Sequence, residues 1–225
     1  GSPVLRGLRR LTLGELKSLP PELPAWLAQL PGLEHLDLSN CKFSNADEIA
    51  TLMRTNLTCL KTLTLDHALD FTPSRADRPV LDHVLARLEN LSLAHAPIGY
   101  RAIRSLAEAP ASKSLKTLNL TGCESLDDGD IELLATRPNM GSLEKLRLDY
   151  TGVGSSGVSA LATSSTLSAL ADLSLASCRR VDTEAVKRLA CSPLAGRLRS
   201  LNLAFVPLPR PALEALVSGG FGRLG

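Results

Sequence analysis

The chain has 225 residues, 44% of them hydrophobic but only 3% aromatic, and it carries 25 basic against 23 acidic side chains. Its core must therefore be aliphatic, and the 47 leucines point to one small packing unit used many times. The near-even charge disfavours nucleic acid, which needs a basic patch, and no apolar run approaches the roughly 18 residues of a membrane span.

Six-residue runs of the form L-x-x-L-x-L begin at Leu8, Leu33, Leu60, Leu88, Leu115, Leu143, Leu170 and Leu198, at intervals of 25, 27, 28, 27, 28, 27 and 28 residues. Alternation within each run predicts a short strand with its leucines inward and the residues between them facing solvent. The spacing predicts that successive strands lie side by side in a parallel sheet.

In chain order, the first unit departs from the rest after its strand, with PPELPAW at Pro20 to Trp26 where a regular helix would start. The second carries LEHLDL (Leu33 to Leu38), and Cys41 follows it. The third places Asp66 and His67 after its leucines and then inserts DFTPSRADRP, Asp70 to Pro79. Pro73 and Pro79 make this the least regular connection expected.

From the fourth unit onward the second half repeats as well. An apolar trio recurs: Ile98, Ile103, Leu106; Leu126, Ile131, Leu134; Val153, Val158, Leu161; Val181, Val186, Leu189; Leu208, Leu213, Leu216. The last two members of each are three apart, which is helical spacing. Ala107, Ala135, Ala162 and Ala190 follow, small enough for close helix packing. Helices are wider than strands, so the stack should curve with its sheet on the concave side. Leu224 falls 26 residues after Leu198, where a ninth unit would open. Residues 1–225 thus read as one domain, either a piece of a longer protein or a chain whose last repeat is worn. The leading Gly1-Ser2 resembles the remnant of a cleaved tag, so the lack of a secretory leader carries little weight.

Gly152, Gly154 and Gly157 spell G-x-G-x-x-G between a strand and a helix, the order of a dinucleotide-binding turn. They also occupy the ordinary turn of unit six, where smallness alone suffices, and the packing role is the one expected. His35, His67 and His95 are placed in strands, and His83 lies outside them. His67 and His95 hold one repeat position and should be neighbours near Asp66 and Asp37, a pattern that reads as solvated surface rather than metal ligation. Cys41, Cys123 and Cys178 share an inward position expected to bond loop backbone groups. With Cys59 and Cys191 the cysteines number five, widely spaced and without C-x-x-C, which suggests a reduced, intracellular setting. No G-x-S-x-G or other catalytic signature is present, and no motif requires a cofactor or a metal.

The repeat resembles that of the leucine-rich-repeat superfamily over nearly the whole chain. The alternation of 27 and 28 residues and the helical back are most like its ribonuclease-inhibitor class. LNLTGCESLDDGDIELLA (Leu118 to Ala135) and LSLASCRRVDTEAVKRLA (Leu173 to Ala190) are similar to the cysteine-containing repeats of F-box proteins. The resemblance implies an α/β solenoid of about eight repeats with helices on its convex face. It also implies a non-enzymatic module that binds a protein partner, or alternatively the substrate-recognition part of a ubiquitin-ligase subunit or a bacterial effector. The candidate contact residues are Arg147, Asp149, Tyr150, Asn202 and Phe205, with Asp66, His67 and His95 further along the same face. Tyr150 and Phe205 are two of only seven aromatics, and aromatics are frequent interface anchors.

Overall fold

The computed structural model describes residues 7–219, apart from 19, 44, 54, 56, 70–87 and 109–112. The insertion after the third strand and His83 therefore lie outside the described residues. Eight strands form one parallel sheet in chain order: β1 (Arg10–Thr12), β2 (His35–Asp37), β3 (Thr62–Thr64), β4 (Asn90–Ser92), β5 (Thr117–Asn119), β6 (Lys145–Arg147), β7 (Asp172–Ser174) and β8 (Ser200–Asn202). Among the described residues seven α-helices accompany them: α1 (Leu23–Leu27), α2 (Ala46–Met53), α3 (Tyr100–Glu108), α4 (Asp128–Thr136), α5 (Ser155–Thr163), α6 (Thr183–Ala190) and α7 (Arg210–Ser218).

The register follows from the leucine spacing. Leu11, Leu36, Leu63, Leu91, Leu118, Leu146, Leu173 and Leu201 pair strand to strand in a single row. Slipping one strand by one residue would turn its leucines to solvent, which is why the register is strongly specified. The six inner leucines of that row are buried, while Leu11 and Leu201 at the ends are only partly covered. The trios predicted for the helical half are likewise buried from Ile98 to Leu189, but in the last unit Leu213 is 48% exposed. Ala212 is the buried residue there, since no later repeat among the described residues covers the far side of α7.

Local chemistry sets the helix starts. Asp127 and Asp130 form a reciprocal capping box at α4, and the Asp182 carboxylate accepts from the Ala185 N–H at α6. The PPELPAW segment yields a helix of five residues, with a proline in its first turn and no side-chain cap.

Cys41, Cys123 and Cys178 are fully buried, and each thiol donates to a strand-end carbonyl of an earlier unit: Leu13, Leu93 and Leu148, at 2.7, 3.1 and 3.1 Å. Thr151, at the same repeat position, donates to the Leu148 carbonyl at 2.7 Å. Burial raises all three thiol pKa values, that of Cys123 to about 12. Cys59 and Cys191 are free and exposed. Thiol titration of the native protein should accordingly show two fast and three slow groups, because the thiolate is the reactive form. Equal rates for all five, or a disulfide among the buried three, would contradict the ladder.

Candidate functional site

The sheet face ends in a row of side chains at the last residue of each strand, and these organise the turns that follow. Where that residue is Asp or Asn, its oxygen accepts from the backbone N–H two residues on: Asp37 from Ser39 at 3.0 Å, Asn119 from Thr121 at 3.1 Å, Asn202 from Ala204 at 3.1 Å. This is the Asx-turn geometry that short polar side chains favour. β4 and β7 end instead in Ser92 and Ser174. There the acceptor comes from the preceding unit: Asp66 takes the Ala94 N–H at 2.9 Å and the Ser92 hydroxyl, and Asp149 takes the Ala176 N–H at 2.7 Å and the Ser174 hydroxyl. Asn119 and Asn202 then donate to those same serines at 2.8 and 2.9 Å.

Two residues expected to face a partner are therefore engaged within the scaffold. Asp149 is 9% exposed, and Asp66 is half-buried. They sit just past the strand, where the chain already turns, so their carboxylates reach along the sheet edge to the next repeat. The sequence does carry a signal for this role, since each of these Asp residues precedes a unit whose strand ends in Ser.

The next column is also not strand. Glu15, Asn40, His67, His95, Gly122, Tyr150, Ser177 and Phe205 all adopt left-handed backbone, with φ between 54° and 69°. That conformation costs a non-glycine residue on the order of 1 kcal/mol. It turns the N–H of all but Phe205 toward the following unit, for example Glu15 to the Ser39 carbonyl, His67 to Ala94, Tyr150 to Ala176 and Ser177 to Ala204, at 2.8–3.3 Å. The inter-repeat ladder thus continues past the strands, and among the described histidines only His35 is a strand residue. His67 and His95 stack with ring centroids 4.1 Å apart. His95 covers Gly122, where a Cβ would lie 2.3 Å from its ring.

Tyr150 and Phe205 are 57% and 80% exposed on this rim. Ser177 stands between them, so two strand spacings of about 4.8 Å separate their backbones. The sheet face of the strands themselves holds a depression of about 390 Å³ lined by residues of β5 to β8, among them Arg147, Ser174 and Asn202. The structure thus brings Arg147, Tyr150, Asn202 and Phe205 into the last four units, and places His67 and His95 two to three units away.

Along the opposite edge of the strands, the residue after each first leucine alternates in charge: Arg9, Glu34, Lys61, Glu89, Lys116, Glu144. Arg9 and Lys61 lie 3.1 and 3.8 Å from Glu34, and Lys116 lies 2.8 Å from Glu89. The hydrogen bond from Lys116 holds the Glu89 carboxyl below its usual pKa. The alternation stops at Ala171.

The G-x-G-x-x-G run is a packing device. A Cβ on Gly152 would meet the Leu126 carbonyl oxygen at 2.6 Å, and one on Gly157 would meet the Asp128 carboxylate at 2.8 Å. The Gly154 N–H, which a phosphate would need, donates to Asp128 at 2.6 Å. The described residues include no group of three or more His, Cys, Asp or Glu able to hold a metal ion, and no described helix is long and apolar enough to cross a membrane.

A sheet grown one strand per repeat, with successive helices packed side by side and sharing one core with the strand leucines, defines a repeat solenoid. Leucine-rich-repeat models match residues 32–52, 111–135 and 142–162. The matched segments are leucine-rich repeats, and the chain has the fold of a leucine-rich-repeat solenoid. Among solved structures it is similar to internalin C2 from Listeria monocytogenes, with a TM-score of 0.60 and 16% identity over 98% of this chain and 79% of that one. No curated protein matches the sequence.

Proposed function

We propose that this protein is a non-catalytic interaction module whose protein partner docks on the sheet face at β6 to β8. One observation carries the reading: Tyr150 and Phe205, two of seven aromatics, stand exposed just past strands β6 and β8, and the sheet face of those strands holds a depression lined by the exposed Arg147. Aromatic and arginine side chains dominate measured hot spots, and isolated solvated aromatics offer no gain to folding. The free, buried thiols support an intracellular setting.

Placing a photo-crosslinking phenylalanine analogue at position 150 or 205, and at Glu132 on the exposed side of α4 as a control, tests the face in the source cell. A discrete adduct from the first two positions and none from the third is expected. Because both aromatic positions are left-handed, the variants to use are Tyr150→Asn and Phe205→Asn, since Asn40 already occupies that conformation. Each should weaken binding of the captured partner at least tenfold, in line with loss of an anchor, while the melting temperature stays unchanged. Adducts from the helical side alone would move the site to the convex face.

A further inference from the structure

Resting on that docking face, we propose that the partner's contacting segment is acidic, setting a carboxylate on the Arg147 guanidinium and an apolar side chain between Tyr150 and Phe205. The charge inventory of the corner carries the argument. Lys145 is paired with Asp172 at 3.2 Å, and Glu144 faces Lys116. Asp149 is buried against Ser174 and Ala176. Arg199 has Ala171 as its neighbour where the alternating row would supply an acid, and it keeps only its backbone bond to that residue. Among the described residues, the side chains of Arg147 and Arg199 have neither an ion pair nor a hydrogen bond. Both stand exposed on strands β6 to β8 or beside them.

The rest of the depression is neutral or internally paired: Thr117, Ser174, Ser200, Asn202 and the Lys145–Asp172 pair. A basic partner would meet the unpaired Arg147 in the depression and the unpaired Arg199 at the opposite edge of the strands, and a neutral one would leave them unused. A carboxylate takes the planar guanidinium fork in bidentate geometry. A nucleic acid is disfavoured, because its phosphates need a basic track. Beyond this corner the sheet edge alternates in sign, and Glu34, Glu89 and Glu144 interrupt any such track.

The test is selection of a displayed library of random peptides, about twelve residues long, against the whole chain. Selected peptides should be enriched in Asp and Glu several-fold over the starting library, with an apolar residue close by. Their synthetic versions should lose affinity at least tenfold on Arg147→Glu and less on Arg147→Gln. Selection against Arg147→Glu itself should turn to Lys and Arg. Both variants change an exposed strand residue, and an unchanged circular dichroism melt confirms that they fold. Peptides that depend on Tyr150 and Phe205 but carry no acidic bias would overturn the acidic partner and leave the docking face standing. Peptides indifferent to all three positions would remove both. A library that yields no binder overturns a linear acidic segment. A single-stranded oligonucleotide that outcompetes the peptides, and is itself lost with Arg147→Glu, would put nucleic acid in its place.

Discussion

Asp149→Ala should lower the free energy of unfolding by about 2 kcal/mol, although Asp149 was legible in the sequence only as a surface charge beside a tyrosine. The carboxylate accepts from the Ala176 N–H at 2.7 Å and from the Ser174 hydroxyl, and it is nearly buried. Its removal strands a buried backbone donor, and such a loss typically costs about 1–3 kcal/mol. At about 2–4 °C per kcal/mol for a chain of this size, the melting temperature should fall by roughly 4–8 °C. The structure also specifies a repair. In the units that end in Asn119 and Asn202, the strand-end amide satisfies the N–H two residues on without help from the preceding turn. Ser174→Asn would place the same amide two residues before Ala176. The double variant Asp149→Ala, Ser174→Asn should therefore recover most of the loss in a denaturant titration. The two changes should couple strongly, as residues in one hydrogen-bond network do. A double variant no more stable than Asp149→Ala alone would show that the two turn designs are not interchangeable.

The second large effect depends on where a leucine stands in the stack. Leu118→Ala should cost about 3 kcal/mol or more, within the usual range of about 2–5 for a leucine cut back in a packed core. Leu118 is fully buried and has Leu91 on one side and Leu146 on the other. The same substitution at Leu11 or Leu201 should cost less than half as much. Among the described residues each of these pairs on one side only, with Leu36 and Leu173 respectively, and each is partly exposed already. In a solenoid each repeat contacts only its neighbours, so an end position lacks one of two interfaces. Equal losses at all three positions would mean that the chain unfolds around a single global core. Chemical denaturation of the three variants decides between these outcomes.

The phase of the leucines determined the architecture. A side-chain period of two inside each run makes a strand with one buried face, and a run repeated every 27 or 28 residues leaves room for one helix and two turns. Cys41, Cys123 and Cys178 were equally legible, because a small polar residue at an inward turn position has one physical use, to bond backbone that water cannot reach. The exposure of Tyr150 and Phe205 was legible too, but their column was not. The strands stop one turn short of it, and only the backbone reveals eight left-handed residues, one per repeat, of which all but Phe205 carry the ladder onward through their N–H groups. The same turn decided the fate of Asp66 and Asp149. Outward alternation holds while the chain is extended and ends once it bends, so an acid that periodicity assigns to solvent swings along the sheet edge to the next repeat. Which charges remain unpaired was likewise a tertiary decision. Pairing across strands joins residues about 27 positions apart, and whether Arg147 finds a partner depends on what the neighbouring strands place beside it.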